Sequence, residues 1–423
     1  MFLVLPHQLF DPKYLTCKEI ILWEHPHYFT KYSYNKKKLI LHRASMKYYK
    51  DELIKKGLVV KYYTFKTTPK LIRYHVWDPV DKIKLPGNPI VIDSPGFLLS
   101  GDQLGKYRNL TKSFFFNAFY MKTKKWLGII PGVKSQDKHN RKKLPAGIKI
   151  PYIPSNKSDK MHIDEAIAYT ETHFNNNYGD TEEFMFPVKR STAKRWISHF
   201  VKYKIKHFGD YQDAISTKHD FLYHSLLSTS INIGLITPAY LIDIIIKTDA
   251  PINSKEGFVR QLFWREYQRY CYKFANFNSN YFGNVKKLTK KWYSGNVGIK
   301  PVDDCIKKAF KTGYLHHIER LMIIGNFMQL SRISPKEGYK WFMEFSCDSY
   351  EWVMHQNVLD MAFFCTGGLT MRRPYISSSN YILKMSDYKR DEWSNKWDIL
   401  YKQFLKNNKA KLFKFRYHFR SLQ

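Results

Sequence analysis

The residues best suited to chemistry in this chain of 423 residues lie in one stretch, from Tyr314 to Asn357. His316, His317, Arg320 and Asn326, and further on Asp348 and Glu351, interrupt faces that are otherwise apolar at helical spacing. A polar group withdrawn from water without a partner costs roughly 2–7 kcal/mol. So many on packed helices imply either a bound polar ligand or an internally satisfied network. Two other segments share the pattern. LLSTSIN (226–232) offers consecutive hydroxyls and N–H groups near a helix start; such a place can hold a phosphate, although an ordinary cap explains it as well. WRE (264–266) and HIER (317–320) put Arg265 and Arg320 on apolar helices, where a carboxylate or phosphate is the usual partner. The clustering of Trp, Tyr, His and Arg suggests a large aromatic cofactor in a helical core. No Ser–His–Asp set, metal-ligand cluster or Walker loop is visible.

Charge points to the partner. Lys plus Arg total 70 against 36 Asp plus Glu, a formal charge of +34. A surplus of that size favours a polyanion, because each neutralised phosphate releases counterions. Basic residues are interleaved with aromatics, which make up 17% of the chain, and this favours nucleic acid over merely solvated lysine-rich faces. The five cysteines are scattered and contain no CxxC pair, so neither a disulfide framework nor a cysteine-only metal site is indicated. MFLVLPHQLF has no basic leader, and the longest apolar runs, such as LIDIII (241–246), are too short to span a bilayer. The expectation is a soluble intracellular protein with no membrane partner.

The elements that must position these residues fall into three parts. FLVL (2–5), EIILW (19–23), VVKYYTF (59–65) and NPIVID (88–93) read as strands around a helix over 39–57 that stops at Gly57, a small parallel α/β domain. It has no GxGxxG after its first strand, so its ligand must be read from PHQL (6–9), WEH (23–25) and HRASM (42–46). Residues 100–185 form a basic, aromatic connector with a helix near 113–126 and a polar loop, SQDKHNRKKLP, in which Asp137 stands four residues before Arg141. From 186 the chain reads as helical to its basic end. The Tyr314–Asn357 stretch reads as two helices, the second opened by Ser334-Pro335 with Glu337 closing a capping box.

Four segments carry a family resemblance: GFVRQLFWREY, HHIERLMIIGNF, YEWV-x-x-x-NVLDM (350–361) and GGLTMRRPYISSSNYILKMSDY (367–388). They resemble the photolyase-related proteins of the prokaryotic (6-4) photolyase branch, the iron–sulfur bacterial cryptochromes and photolyases, and the likeness extends over nearly the whole chain. The resemblance implies an α/β Rossmann-like antenna domain (1–110), a connector with a lesion-side loop (111–185) and an all-α FAD-binding catalytic domain (186–423). It implies a monomer in which light-excited reduced FAD passes an electron to a (6-4) pyrimidine–pyrimidone lesion flipped out of UV-damaged DNA. His317 matches the histidine that protonates or hydrogen-bonds the lesion, with His316 as companion and Gln261 facing the lesion. Tyr375, Tyr381, Asp137 and Arg141 match lesion-side groups, with a divalent cation conceivable near Asp137. Flavin contacts fall on Tyr211, Ser228, Thr229, Ser230, Asn232, Trp264, Arg265, Arg320, Asp348, Tyr350, Met354 and Asn357. Trp341 matches a photoreduction tryptophan, and Gln8, Glu24 and His42 match contacts of an antenna such as 6,7-dimethyl-8-ribityllumazine.

The departures from the family pattern are also specific. Pro301 stands where the first cluster cysteine belongs, and SDY is followed by Lys389, Arg390, Asp391 and Glu392; no iron–sulfur cluster is expected. Met354 takes a polar corner beside the flavin, Tyr293 replaces an outer tryptophan, and Phe342 replaces a tyrosine. The alternatives are a flavin photoreceptor without repair, a cyclobutane-dimer photolyase and, more remotely, a flavin-free nucleic-acid-binding protein.

Overall fold

The computed structural model describes residues 1–419. Five parallel strands form one sheet in the order β3-β2-β1-β4-β5: β1 Phe2–Val4, β2 Glu19–Trp23, β3 Val59–Tyr63, β4 Arg73–Trp77 and β5 Asn88–Ile92. The inner strand β1 is buried throughout and its neighbour β2 almost so, as expected of strands covered on both faces. Sequence patterning missed β4. Its RYHVW alternates charged and apolar groups, a weak signal, yet Tyr74, Val76 and Trp77 are buried and it bridges β1 to β5.

The helix Lys36–Lys55 covers one face, capped by the Asn35 side chain on Lys37 N. Gly57 follows it at φ +78°, a left-handed stop that costs glycine nothing. The connector is not a free linker. Its helix Lys160–Phe174 packs along the Lys36–Lys55 helix and joins it to the sheet through one polar cluster. Glu24 is fully buried and accepts from Arg43 Nη1 (2.8 Å), Tyr62 Oη (2.7 Å), Tyr169 Oη (2.7 Å) and Phe65 N (3.2 Å); Glu165 takes the other side of Arg43.

The helical part is built around the 23-residue helix Ile252–Phe274, which touches the Phe116–Trp126, Ile205–Tyr211 and Pro238–Ile246 helices and the Glu351–Met354 turn. Thr237 caps the Pro238 helix through Tyr240 N. The Tyr314–Asn357 stretch is three segments rather than two. A π-helix, Glu319–Gly325, runs into Asn326–Leu330; Pro335–Phe345 follows; Glu351–Met354 then widens into a second π-helix, His355–Ala362. The π segments meet at Gly325, where a Cβ would lie 2.8 Å from that of Ala362. Wide turns of this kind are frequent at functional sites. Ser334 caps Glu337 N as expected, but the Glu337 carboxylate accepts from Leu288 N instead of closing the box. No helix among the described residues is long and apolar enough to cross a membrane.

Glu24→Leu leaves the Arg43 guanidinium short of a buried partner and two tyrosine hydroxyls unpaired. It should lower unfolding free energy by about 3–5 kcal/mol in denaturant titrations. An unchanged midpoint would mean that Glu24 does not hold the connector to the sheet.

Candidate functional site

Asp348 lies in the break between Pro335–Phe345 and Glu351–Met354, and the inner site is built on it. Its carboxylate accepts from Arg320 Nη2 (3.0 and 3.2 Å) and Ser228 Oγ (2.7 Å), and its backbone carbonyl accepts from Asn232 Nδ2 (2.9 Å). Arg265 Nε donates to Asn232 Oδ1 (2.9 Å), and Arg320 Nε donates to Leu315 O (2.7 Å). Burial pushes the Asp348 carboxyl up, but Arg320 and the Ser228 and Ser346 hydroxyls outweigh it and hold the group below the usual range. Beside this satisfied network, the buried hydroxyls of Thr229 and Ser230 have no partner. Orphaned polar groups next to a paired arginine–carboxylate set fit a polar cofactor chain. Tyr350 and Met354 are buried nearby in sequence, Asn357 lies half-buried within the second π segment, and Tyr211 is half-buried against Tyr223. Trp264 stacks on Phe116 with ring centres 3.8 Å apart. Trp341 is fully buried and donates from Nε1 to Trp292 O (2.7 Å).

A second, more open set lies on the outer side. The His317 side chain is 45% exposed, so it is not one of the buried polar groups that patterning implied, and its Nε2 is 3.0 Å from Asp213 Oδ1. Asp137 accepts from both Arg141 (2.6 Å) and Arg260, the neighbour of half-buried Gln261, which pins the connector loop to the central helix. Tyr375 and Tyr381 belong to the same field. Burial raises both phenols; Asp213 pushes Tyr381 further up while Arg141 opposes, and Tyr375 senses Arg373, Asp137, Arg141 and Arg260. Sequence reasoning missed Asp213 and Arg260. Neither stands in a motif, and only their three-dimensional neighbours distinguish them. Behind His317, His316 stacks on His224 with centroids 4.6 Å apart; burial, countered in part by the Gln212 carbonyl, lowers His224 to about 3.

Residues 2–75 and 74–186 match the family described as deoxyribodipyrimidine photo-lyase-related protein, and residues 258–392 match the FAD binding domain of DNA photolyase. The chain is 34% identical over 339 residues to a (6-4) photolyase of Agrobacterium fabrum, covering 73% of this chain and 66% of that protein. The chain belongs to the photolyase/cryptochrome superfamily. Over 88 residues it is 57% identical to protein R855 of Acanthamoeba polyphaga mimivirus, covering 21% of this chain and 72% of the viral one. The fold is that of a solved archaeal photolyase from Sulfolobus tokodaii with two FAD molecules. The TM-score is 0.59 at 13% identity, over 96% of this chain and all of that one.

Within this photolyase fold, the expected antenna contacts are engaged by the protein itself. Gln8 donates to Trp77 O (2.7 Å) and accepts from Leu5 N (3.3 Å), and Glu24 is saturated as described. His42 Nε2 meets the Tyr350 hydroxyl at 2.9 Å, linking the helix Lys36–Lys55 to the residue that precedes Glu351–Met354. Cys271, Cys305, Cys347 and Cys365 are buried, and Cys17 is half-buried.

Because the folded-state pKa of Asp348 is depressed, the stability that it contributes is complete above about pH 4, the ordinary aspartate range, and is lost as pH falls through the folded value. Thermal unfolding between pH 6 and 2.5 should show this acid limb in the wild type and a shallower one in Asp348→Asn. Parallel limbs would remove Asp348 as the linked group.

Proposed function

We propose that this protein is a light-driven DNA photolyase acting on the (6-4) pyrimidine–pyrimidone photoproduct with FAD. The observation that carries the reading is the part-exposed His317, held by Asp213 on a face shared with Arg141, Tyr375 and Tyr381. The relative whose name includes that activity supports it.

Ser228, Asn232, Arg265, Arg320 and Asp348 would hold the cofactor, and the free hydroxyls of Thr229 and Ser230 would meet its polar chain. When bound, reduced FAD supplies the light-excited electron. The protein's own part is to bind, orient and move a proton. A carboxylate can only accept, so Asp213 keeps a proton on His317 Nε2 and fixes the ring, leaving Nδ1 to carry the transferable one. Arg141 and the basic surface bind phosphates, and Gln261, Tyr375 and Tyr381 line the place of a flipped base, whose extrusion is least costly at a damaged step. Buried Tyr350 and Met354 close the flavin side, and Trp341, wholly enclosed, is positioned for electron supply. For an antenna chromophore, neither Gln8 nor Glu24 has a free polar group among its contacts, which favours another set of contacts if one binds. We propose further that the protein carries no iron–sulfur cluster, since Pro301 and Lys389–Glu392 replace the family's ligands.

Illumination of the reduced, FAD-loaded protein with a (6-4)-containing oligonucleotide should remove the lesion, while a cyclobutane-dimer substrate run in parallel stays intact. No light-dependent loss of the (6-4) lesion ends the repair reading and leaves a photoreceptor. His317→Ala should keep its flavin spectrum and lose roughly 10²–10⁴-fold in repair, the usual weight of a positioned acid; normal repair would remove His317 from the mechanism. Purified protein should contain no stoichiometric iron or acid-labile sulfide, and finding both would overturn the cluster-free proposal.

A further inference from the structure

Patterning found no metal-ligand cluster because His224 is far in the chain from the adjacent pair His316 and His317. His224 lies in the loop between Ile205–Tyr211 and Ser228–Asn232, whereas His316 and His317 precede the first π segment. Folding brings them together: one ring nitrogen of each lies within 4.8 Å of the other two.

We propose that His224, His316 and His317 form a site for one divalent transition-metal ion of the zinc class, supported from behind by Asp213. Imidazole nitrogens suit zinc, copper and nickel rather than magnesium or calcium. Three protein ligands with one position left for water is a common open zinc arrangement. Two rings already have the second-shell partner that metal-bound histidines show, an acceptor on one nitrogen that leaves the other for an ion. His224 Nε2 faces Gln212 O at 2.8 Å, and His317 Nε2 faces Asp213 Oδ1 at 3.0 Å. The third ring gives an independent pointer to a ligand. The His316 side chain is only 3% exposed, yet its Nε2 has no partner, the Glu319 carboxylate being 3.6 Å away; its Nδ1 has only a long, 3.3 Å contact from Ile318 N. Of the nearby cations, Lys204 donates only to the His224 backbone carbonyl (3.4 Å) and has no carboxylate partner among the described residues, whereas the others are paired. Lys308 pairs with Glu319 and Arg320 with Asp348, while Asp213 has no Lys or Arg within ion-pair range among the described residues. Its charge is therefore available to a cation. An ion here would occupy the His317 ring and compete with lesion protonation; that consequence, unlike the site itself, rests on the proposed function.

The test is a zinc titration of chelator-stripped full-length protein, in the dark and without DNA, against a competing chromogenic chelator. One equivalent should bind, Mg²⁺ should not displace it, and zinc K-edge absorption should show imidazole nitrogens at about 2.0–2.1 Å. Asp213→Asn, which keeps all three ligands, should weaken binding about 10–100-fold; His224→Gln should abolish the stoichiometric site. Cys17→Ser, at the half-buried cysteine remote in sequence from the cluster, should change nothing. Absence of a zinc equivalent in the wild type, or equal affinity in the two site variants, overturns the proposal. If His224→Gln proves unfolded by circular dichroism, the Asp213→Asn affinity and the absorption edge decide. Because no lesion or light is used, failure here is separable from failure of the repair reading.

Discussion

The Arg320–Asp348 pair is the interaction on which the helical domain depends. Arg320 comes from the first π segment, Asp348 from the break before the second, and Ser228 and Asn232 from a separate short helix; all close on one carboxylate residue. A buried ion pair is weak evidence for net stability, because desolvation offsets most of the attraction. Its value lies in register. Leaving either charge unpaired in the interior costs several kcal/mol, so alternatives that slide one segment against another are excluded. The cradle for a cofactor and the break that turns Asp348 inward are one constraint seen from two sides.

A second layer of order follows from where water can reach. The inner set is largely buried and, apart from the Thr229 and Ser230 hydroxyls, paired, whereas His317 is half open and backed by a carboxylate. Asp137, bracketed by Arg141 and Arg260, ties the connector loop to the central helix at that opening. The connector thus contributes twice, by its Lys160–Phe174 helix to the α/β layer and by its loop to the outer site. His42 and Tyr350 join the Lys36–Lys55 helix to the helical part.

Much of this was legible from local chemistry, and the limits are equally local. The Ser334-Pro335 start and the Gly57 stop were readable because each depends on backbone groups within a few residues. Strand β4 was not, since RYHVW acquires its identity only from pairing with β1 and β5. The polar residues of HHIER could be recognised as costly to bury, but their separate fates could not. Arg320 found Asp348, His317 found solvent and Asp213, and His316 kept an unpartnered nitrogen.

By itself the sequence set a charge of +34, which favours a polyanion, and the order of an α/β part before a helical one, through a change from strand-length apolar runs to helical spacing. It also supplied the family through ordered motifs. Only the tertiary structure decided that Glu24 is a structural hub rather than a free contact, that Asp213 and Arg260 belong beside His317 and Asp137, and that His224 faces the histidine pair. The physical reason is range. Caps, turns and periodicity act over a few residues, whereas hydrogen bonds and ion pairs between distant segments exist only once burial has removed water from between them.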